Sequence, residues 1–319
     1  MTATIGTDIA QAKYFLEKAD VVGMPTETVY GLAGNALNIE AVSKIFKAKN
    51  RPTFDPLIVH TNSASRLMDF VTHIPPAAQK LIDAFWPGPL TLLLPKKPII
   101  PDLVTSGSER VAVRIPDHPL ALALLASLDF PLAAPSANPF GYISPTAAQH
   151  VAAQLGDQIP YILDGGASRV GVESTIVGFE GGEVVVYRLG GVSVEAISLL
   201  VGMVKIMPHS SSRPDAPGML LSHYAPRKKF ILGNIPQLLA EHTHDKVAVL
   251  SFSQSYPQLP DALQRVLSAQ GDTTEAAQHL FAAMRYLDTT EADLIISELV
   301  PEEGLGRAIN DRLRRASAH

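Results

Sequence analysis

From Pro208 to Pro226 the chain reads PHSSSRPDAPGMLLSHYAP, four prolines and four serines in 19 residues. Proline lacks an amide N–H and fixes its own φ, so such a stretch sustains neither a helix nor a strand ladder. It reads as an extended linker. Connections this long are functional or disordered. The linker divides 319 residues into two parts, 1–207 and 229–319, with 208–228 between them. Each part is long enough for a core of its own.

In the first part, short apolar runs alternate with helical patterns. Strands are predicted at Asp20–Gly23, Leu57–His60, Leu90–Leu94, Val111–Ile115, Pro131–Ala134 and Tyr161–Leu163. Helices are predicted at Ile39–Lys49, with Ile39, Val42, Ile45 and Phe46 on one face, and at Pro75–Ala84 and Pro119–Ser127. A further helix is predicted at Pro145–Leu155, with proline at its first turn. Thr175–Phe179 and Val184–Leu189 read as a hairpin turning at Gly181-Gly182. The class is α/β with some antiparallel pairing. After the linker come strands at Phe230–Leu232, Val247–Ser251 and Leu294–Ser297. Helices are expected at Ile235–Ala240, Asp261–Leu267, Thr274–Tyr286 and Glu302–Arg315. That alternation predicts a small three-layer parallel domain.

Charge narrows the function. There are 15 basic against 18 acidic residues up to Met207, and 11 against 13 beyond it. A protein that coats nucleic-acid phosphates is disfavoured, although a local basic cleft is not excluded. With 0 cysteines, disulfides, thiolate metal sites and cysteine nucleophiles are excluded. No P-loop and no paired-histidine metal spacing occurs. Gly304-Leu305-Gly306-Arg307 lacks the third glycine of a dinucleotide fingerprint and is assigned to helix packing. No signal pattern opens the chain and no apolar run approaches ~18 residues, so the expected location is cytoplasmic.

Five segments hold polar groups suited to chemistry. PTETVYGLAG (Pro25–Gly34) crowds Thr26, Glu27, Thr28 and Tyr30 after a strand; an ordinary strand-ending turn fits the same letters. KAKNRPTFDPLIVH (Lys47–His60) runs Lys49 and Arg51 from a helix end into a proline-stiffened loop. That arrangement serves either dipole capping or a fixed anion site. Arg114 ends an apolar strand and needs a partner, as an anion clamp or a structural ion pair. APSANPFGYIS (Ala134–Ser144) places small donors in a tight loop, which suits close approach to a nucleotide. VESTIV (Val172–Val177) offers Ser174 and Thr175.

Taken in order, these segments resemble the threonylcarbamoyl-AMP synthase family, whose catalytic domains are called YrdC-like. The resemblance is to its two-domain branch, which appends a small C-terminal domain. FWPGPLTLLL (Phe85–Leu94), VAVRIPDHP (Val111–Pro119), PGMLLSHYAP in the linker and GLGRAINDRLRRA in the tail extend it over almost the whole chain. It implies a YrdC-like twisted mixed sheet around a concave cavity, with a smaller α/β domain attached. The implied reaction joins L-threonine, bicarbonate or CO2, and ATP into threonylcarbamoyl-AMP and pyrophosphate. The product would serve threonylcarbamoylation of the adenosine next to the tRNA anticodon, completed by downstream transfer proteins. A weak tRNA contact and Mg2+ accompanying ATP are also implied.

The resemblance carries site residues as well. The signature falls on Lys49, Arg51, Ser136 and Asn138, implied as catalytic. Thr28, His60, Arg114, Ala134 (through its backbone) and Ser174 are implied to contact threonine. Arg51, Asp55, Arg110 (through its backbone), Ser136, Ser144, Arg188 and Tyr224 are implied to contact ATP. No protein metal site is implied. Arg110 stands where the family pattern has a small hydroxyl residue, and Leu220 where a basic residue is common.

Overall fold

The computed structural model describes residues 2–207 and 223–318. Most of the predicted linker, including Leu220, lies outside the described residues.

Eleven strands of the first part form one mixed sheet. They are β1 (Thr4–Gly6), β2 (Val22–Met24), β3 (Gly31–Asn35), β4 (Ile58–His60), β5 (Leu90–Pro95), β6 (Arg110–Arg114), β7 (Leu132–Ala133), β8 (Tyr161–Leu163), β9 (Thr175–Glu180), β10 (Glu183–Arg188) and β11 (Val204–Ile206). Their order is β1-β8-β2-β3-β7-β4-β6-β5-β9-β10-β11. β4 and β6 run parallel with His60 opposite Arg114, whereas β7 runs antiparallel to β4.

Side-chain alternation gives this sheet two faces. Val59, Leu92, Val111, Val113 and Val177 join the main core together with Val42, Ile45 and Leu81 from the helices Ile39–Lys49 and Pro76–Phe85. Ile58, Leu93, Ala112, Ile176 and Val185 point to the opposite face, where they form a small separate cluster. That second face carries the site.

Local signals explain several elements. The Asn38 side chain caps Ile39–Lys49 by accepting from the Glu40 and Ala41 amides, and Asn50 ends the helix in the left-handed conformation. Gly181 and Gly182 both take positive φ, which the two-residue hairpin turn requires.

The structure departs from the sequence reading in instructive places. The first twenty residues carry β1 and a helix, Ile9–Glu17, capped by Asp8. The predicted turn after Pro25 runs straight into β3. There Gly31 and Gly34 admit close neighbours: an added Cβ would lie 3.1 Å from Ala134 Cβ and 3.2 Å from Ile45 Cδ1. The helix expected from Pro145 starts at Ala148, because the Pro145 carbonyl accepts the Tyr30 amide (2.8 Å) and keeps that residue extended. Ile39 is 62% exposed, since it precedes the turn that meets the sheet.

The C-terminal part holds a four-stranded, all-parallel sheet. Its strands are β12 (Lys229–Leu232), β13 (Val247–Ser251), β14 (Gln264–Val266) and β15 (Leu294–Ser297), in the order β12-β15-β13-β14. β14 replaces the expected helix at Asp261–Leu267, of which one short turn at Asp261–Leu263 survives. A short apolar run does not reveal its own period. Val247 and Val249 pack toward the Ile235–Glu241 helix. Ala248 and Leu250 pack toward Thr273–Asp288 and Gly306–Ala316. The latter core continues into the first part through Val29, Ile143 and Val172 and takes in Tyr224 of the connecting segment. Among the described residues no helix is long and apolar enough to cross a membrane.

Candidate active site

On the second face of the large sheet, bordered by His223 and Tyr224 of the connecting segment, lies a cavity that opens to solvent. Nine of the residues singled out in the sequence line it: Thr28, Arg51, His60, Arg114, Ala134, Ser136, Ser174, Arg188 and Tyr224. Thr26, Glu173 and His223 join them.

One end is built around Arg114, 3% exposed at the end of β6. Its Nη1 donates to Thr28 Oγ1 (2.9 Å), its Nε to the Gly88 carbonyl (3.2 Å), and its Nη2 lies 2.7 Å from Glu27 Oε1. The Thr26 and Thr28 hydroxyls lie 2.9 Å apart, and Thr26 Oγ1 donates to the Val29 carbonyl (2.6 Å). The polar turn that the sequence left ambiguous is therefore a rigid cradle for one guanidinium. Beside Arg114, His60 Nδ1 donates to the Ile58 carbonyl (3.2 Å). Burial, then the Arg114 charge, push the His60 pKa down to about 3, so the imidazole is neutral at physiological pH. The Ala134 amide is committed to the Ile58 carbonyl (3.0 Å).

The other end gathers cations. Arg51 Nη2 pairs with Asp55 Oδ2 (3.0 Å) and donates to the Pro56 carbonyl (2.8 Å). Its Nε donates to the Asp55 carbonyl (3.0 Å). Arg188 donates from Nε to the Ser174 carbonyl and from Nη2 to Ser174 Oγ, each 3.0 Å. Ser174 Oγ in turn lies 2.7 Å from Thr91 Oγ1. Burial lowers the Arg188 pKa to about 10, which leaves the group charged.

Five of the singled-out residues stand behind or away from the wall, Asp55 behind Arg51 among them. Lys49 is 1% exposed and lies beneath it, donating Nζ to the carbonyls of Ser136 (2.6 Å) and Asn138 (2.5 Å). Asn138 donates Nδ2 to the Pro139 and Tyr142 carbonyls (2.9 and 2.8 Å). These two shape the loop that presents Ser136. Ser144 donates Oγ to Glu173 Oε1 (2.5 Å). Arg110 sits apart: its guanidinium contacts Glu180 (2.8 Å) and the Tyr187 hydroxyl (2.9 Å).

The C-terminal part adds residues that the sequence reading did not single out. Arg312, fully buried, lies 3.0 Å from Glu173 Oε2 and 4.9 Å from the Tyr224 ring centre. Arg315 lies 4.8 Å from the same centre. Burial pushes the Glu173 pKa up, but Arg312, Arg188 and the Ser144 hydroxyl more than offset it, so the carboxyl is held below its ordinary range. The available signal was DRLRRA, which puts arginines among the apolar positions of one helix.

Buried Arg51, Arg114, Arg188 and Arg312 outnumber the buried carboxylates Glu27, Asp55 and Glu173, even apart from Lys49, whose pKa burial lowers well below its ordinary value. Adding Arg285, Arg315 and Asp311 brings the excess of arginines over carboxylates to two. Desolvated charge of one sign needs a counter-charge, so the cavity suits a polyanion. Among the described residues no three His, Asp or Glu side chains are grouped to hold a metal ion.

Comparison with known proteins agrees with this geometry. Residues 14–190 match the Sua5/YciO/YrdC family model, described as "Telomere recombination". Residues 192–318 match the model described as "Threonylcarbamoyl-AMP synthase, C-terminal domain". The threonylcarbamoyl-AMP synthase of Pyrococcus abyssi is 42% identical, over 96% of this chain and 92% of its own length. That of Bacillus subtilis is 40% identical, over 99% and 94%. The crystal structure of P. abyssi Sua5 complexed with L-threonine superposes with a TM-score of 0.92 at 41% identity, covering 97% of this chain and 94% of that one. The chain therefore belongs to the threonylcarbamoyl-AMP synthase family, in its two-domain form.

Proposed function

We propose that this chain makes threonylcarbamoyl-AMP from L-threonine, bicarbonate or CO2, and ATP. The observation that carries the reading is one cavity with two unlike ends. Arg114 with the Thr28 hydroxyl suits an amino-acid carboxylate and hydroxyl. Arg51 and Arg188 with Ser136 suit phosphates.

The chemistry balances without a covalent enzyme intermediate. The threonine amine adds to carbon dioxide, or to bicarbonate with loss of water, and gives an N-carboxylate. An oxygen of that carboxylate attacks the α-phosphorus of ATP. A P–O bond forms, the bond to the β-phosphate breaks, and pyrophosphate leaves with the electron pair. His60, held neutral, carries no charge that would repel the amino group. Arg51, Arg188 and Ser136 would position the triphosphate, and Thr28, Arg114, Ser174 and Ala134 the amino acid. Holding both in one buried space supplies proximity, and fixed cations offset the charge that shifts in phosphoryl transfer. Lys49 and Asn138 act through the loop they shape, Asp55 through Arg51, and Ser144 through Glu173. With no protein cage for a metal among the described residues, Mg2+ belongs to this reading as the ion that ATP brings on its own phosphates.

The same reading takes residues 1–207 as the catalytic unit, 208–228 as a connecting lid and 229–319 as a separate small domain. It places the chain in the cytoplasm. It has tRNA-modifying transfer proteins receive the product, with a weak tRNA contact of the chain's own. The test is pyrophosphate release with each substrate omitted in turn. Release must require threonine and bicarbonate together with ATP; release from ATP alone would overturn the reading.

A further inference from the structure

We propose that Arg312 is a positioning residue, through which the C-terminal domain holds the nucleotide end of the cavity in register. This rests on the reading of ATP at that end. Arg312 comes from the Gly306–Ala316 helix, yet its side chain is spent on the catalytic part. Nε and Nη2 both reach Glu173 Oε2 at 3.0 Å, while Nη1 donates to Asp311 Oδ2 (2.6 Å). Arginine alone among side chains offers an always-charged group that can donate to Glu173 from Nε and to Asp311 from Nη1 at once.

Two cavity features depend on it. Glu173 Oε1 accepts the hydroxyl of Ser144, one of the residues implied to contact ATP. Arg285, from the same domain, adds a second hold by donating to the Ile143 carbonyl and to that of Ser144 (3.1 Å). The other feature is Tyr224, 1% exposed, whose φ of 65° is uncommon for a residue with a bulky side chain. Such a conformation is strained and persists where the surroundings enforce it. The surroundings here include the neighbouring His223 ring (4.2 Å) and, from the C-terminal domain, the Phe281 ring, stacked at 5.6 Å, and the guanidiniums of Arg312 and Arg315. Loss of Arg312 frees Tyr224 and the Ser144–Glu173 link together and leaves Arg114, Thr28 and Glu27 as they were.

The test compares full-length wild type with Arg312→Gln, Arg312→Lys and the double variant Arg312→Gln/Glu173→Gln. The double variant carries no orphaned carboxylate, and it serves if Arg312→Gln alone does not fold. Calorimetric titration reads ATP and L-threonine separately; hydroxyl-radical footprinting reads Tyr224. Arg312→Gln and the double variant are expected to weaken ATP at least tenfold, change threonine less than threefold, and raise Tyr224 labelling toward that of exposed Tyr14. Arg312→Lys is expected to fall between them and wild type. Equal loss of both ligands, or unchanged ATP affinity with Tyr224 still protected, would overturn the proposal. Wild type that binds no ATP, with Tyr224 nonetheless unmasked in the variants, would overturn the functional reading and leave the clamp standing.

Discussion

Replacing Arg51 separates what a buried arginine does for stability from what it does for substrate. Its side chain is 4% exposed, and its partner Asp55 is fully buried. Arg51→Met strips that carboxylate of the guanidinium 3.0 Å away, and breaking a buried pair from one side costs about 3–5 kcal/mol. Against a typical total of roughly 5–15 kcal/mol, the single variant is expected to be severely weakened. Arg51→Met/Asp55→Asn removes the orphaned charge as well. Exchanging a whole buried pair for neutral groups is often close to neutral, so the double variant is expected to unfold within about 2 kcal/mol of wild type. Turnover is expected not to follow. A charged hydrogen bond to a phosphate is worth about 1.5–3 kcal/mol, so kcat/KM for ATP in the double variant should stay ~10- to 150-fold down. Urea unfolding and pyrophosphate release on the same samples check both halves. A double variant that regains stability and full turnover together would show that Arg51 only props the loop.

Three further outcomes follow from the geometry. His60 has a folded pKa of about 3 against an ordinary 6.5, so the unfolded chain takes up the proton first as pH falls. Its contribution is complete above pH 6.5 and is lost below it; about 2 kcal/mol should go between pH 7 and pH 5, at ~1.4 kcal/mol per pH unit. Urea midpoints across that range read it, and His60→Gln should flatten the slope by that amount; an unchanged slope would contradict the assignment. Gly171 has φ of 78°, and an added Cβ would lie 2.3 Å from the Ala277 carbonyl oxygen of the C-terminal domain. Gly171→Ala should therefore destabilise by more than ~1–2 kcal/mol, the left-handed penalty alone, with calorimetry showing the two parts unfolding separately; one sharp wild-type transition would refute this. Ser174→Ala removes the hydroxyl that meets both Arg188 and Thr91, and should raise the KM for threonine at least fivefold at the cost of about 1 kcal/mol in stability. An unchanged KM would take Ser174 out of the amino-acid end.

Much of the fold was legible because its signals are local. The capping Asn38, the helical spacing after it and the Gly181-Gly182 turn each depend on residues within a few positions. β3 was not legible, because Gly31 and Gly34 read as turn residues and are strand residues only by virtue of Ala134 and Ile45, which the sequence places far away. β14 failed for a related reason: three residues become a strand only when β13 lies alongside. At the site, order along the chain pointed to the lining residues from the first part, since most of them lie at or just beyond a strand end, with Ser174 just before β9 and Arg51 just after a helix. What it could not give was division of labour. Lys49 looked like a phosphate ligand and instead binds two carbonyls under the loop, and Arg110 faces Glu180. Arg312 and Glu173 lie 139 residues apart, and no local pattern couples them.

The central claim is that amino acid and nucleotide share one cavity close enough to react directly. A crystal structure of the full chain soaked with L-threonine, bicarbonate and a non-hydrolysable ATP analogue tests it most directly. The account expects the threonine carboxylate on Arg114, the triphosphate beside Arg51 and Arg188, and the amino nitrogen facing the α-phosphate with room for a single carboxyl group between them. Ligands in separate clefts, or a nucleotide bound outside the wall formed by Arg51, Ser136 and Arg188, would contradict it.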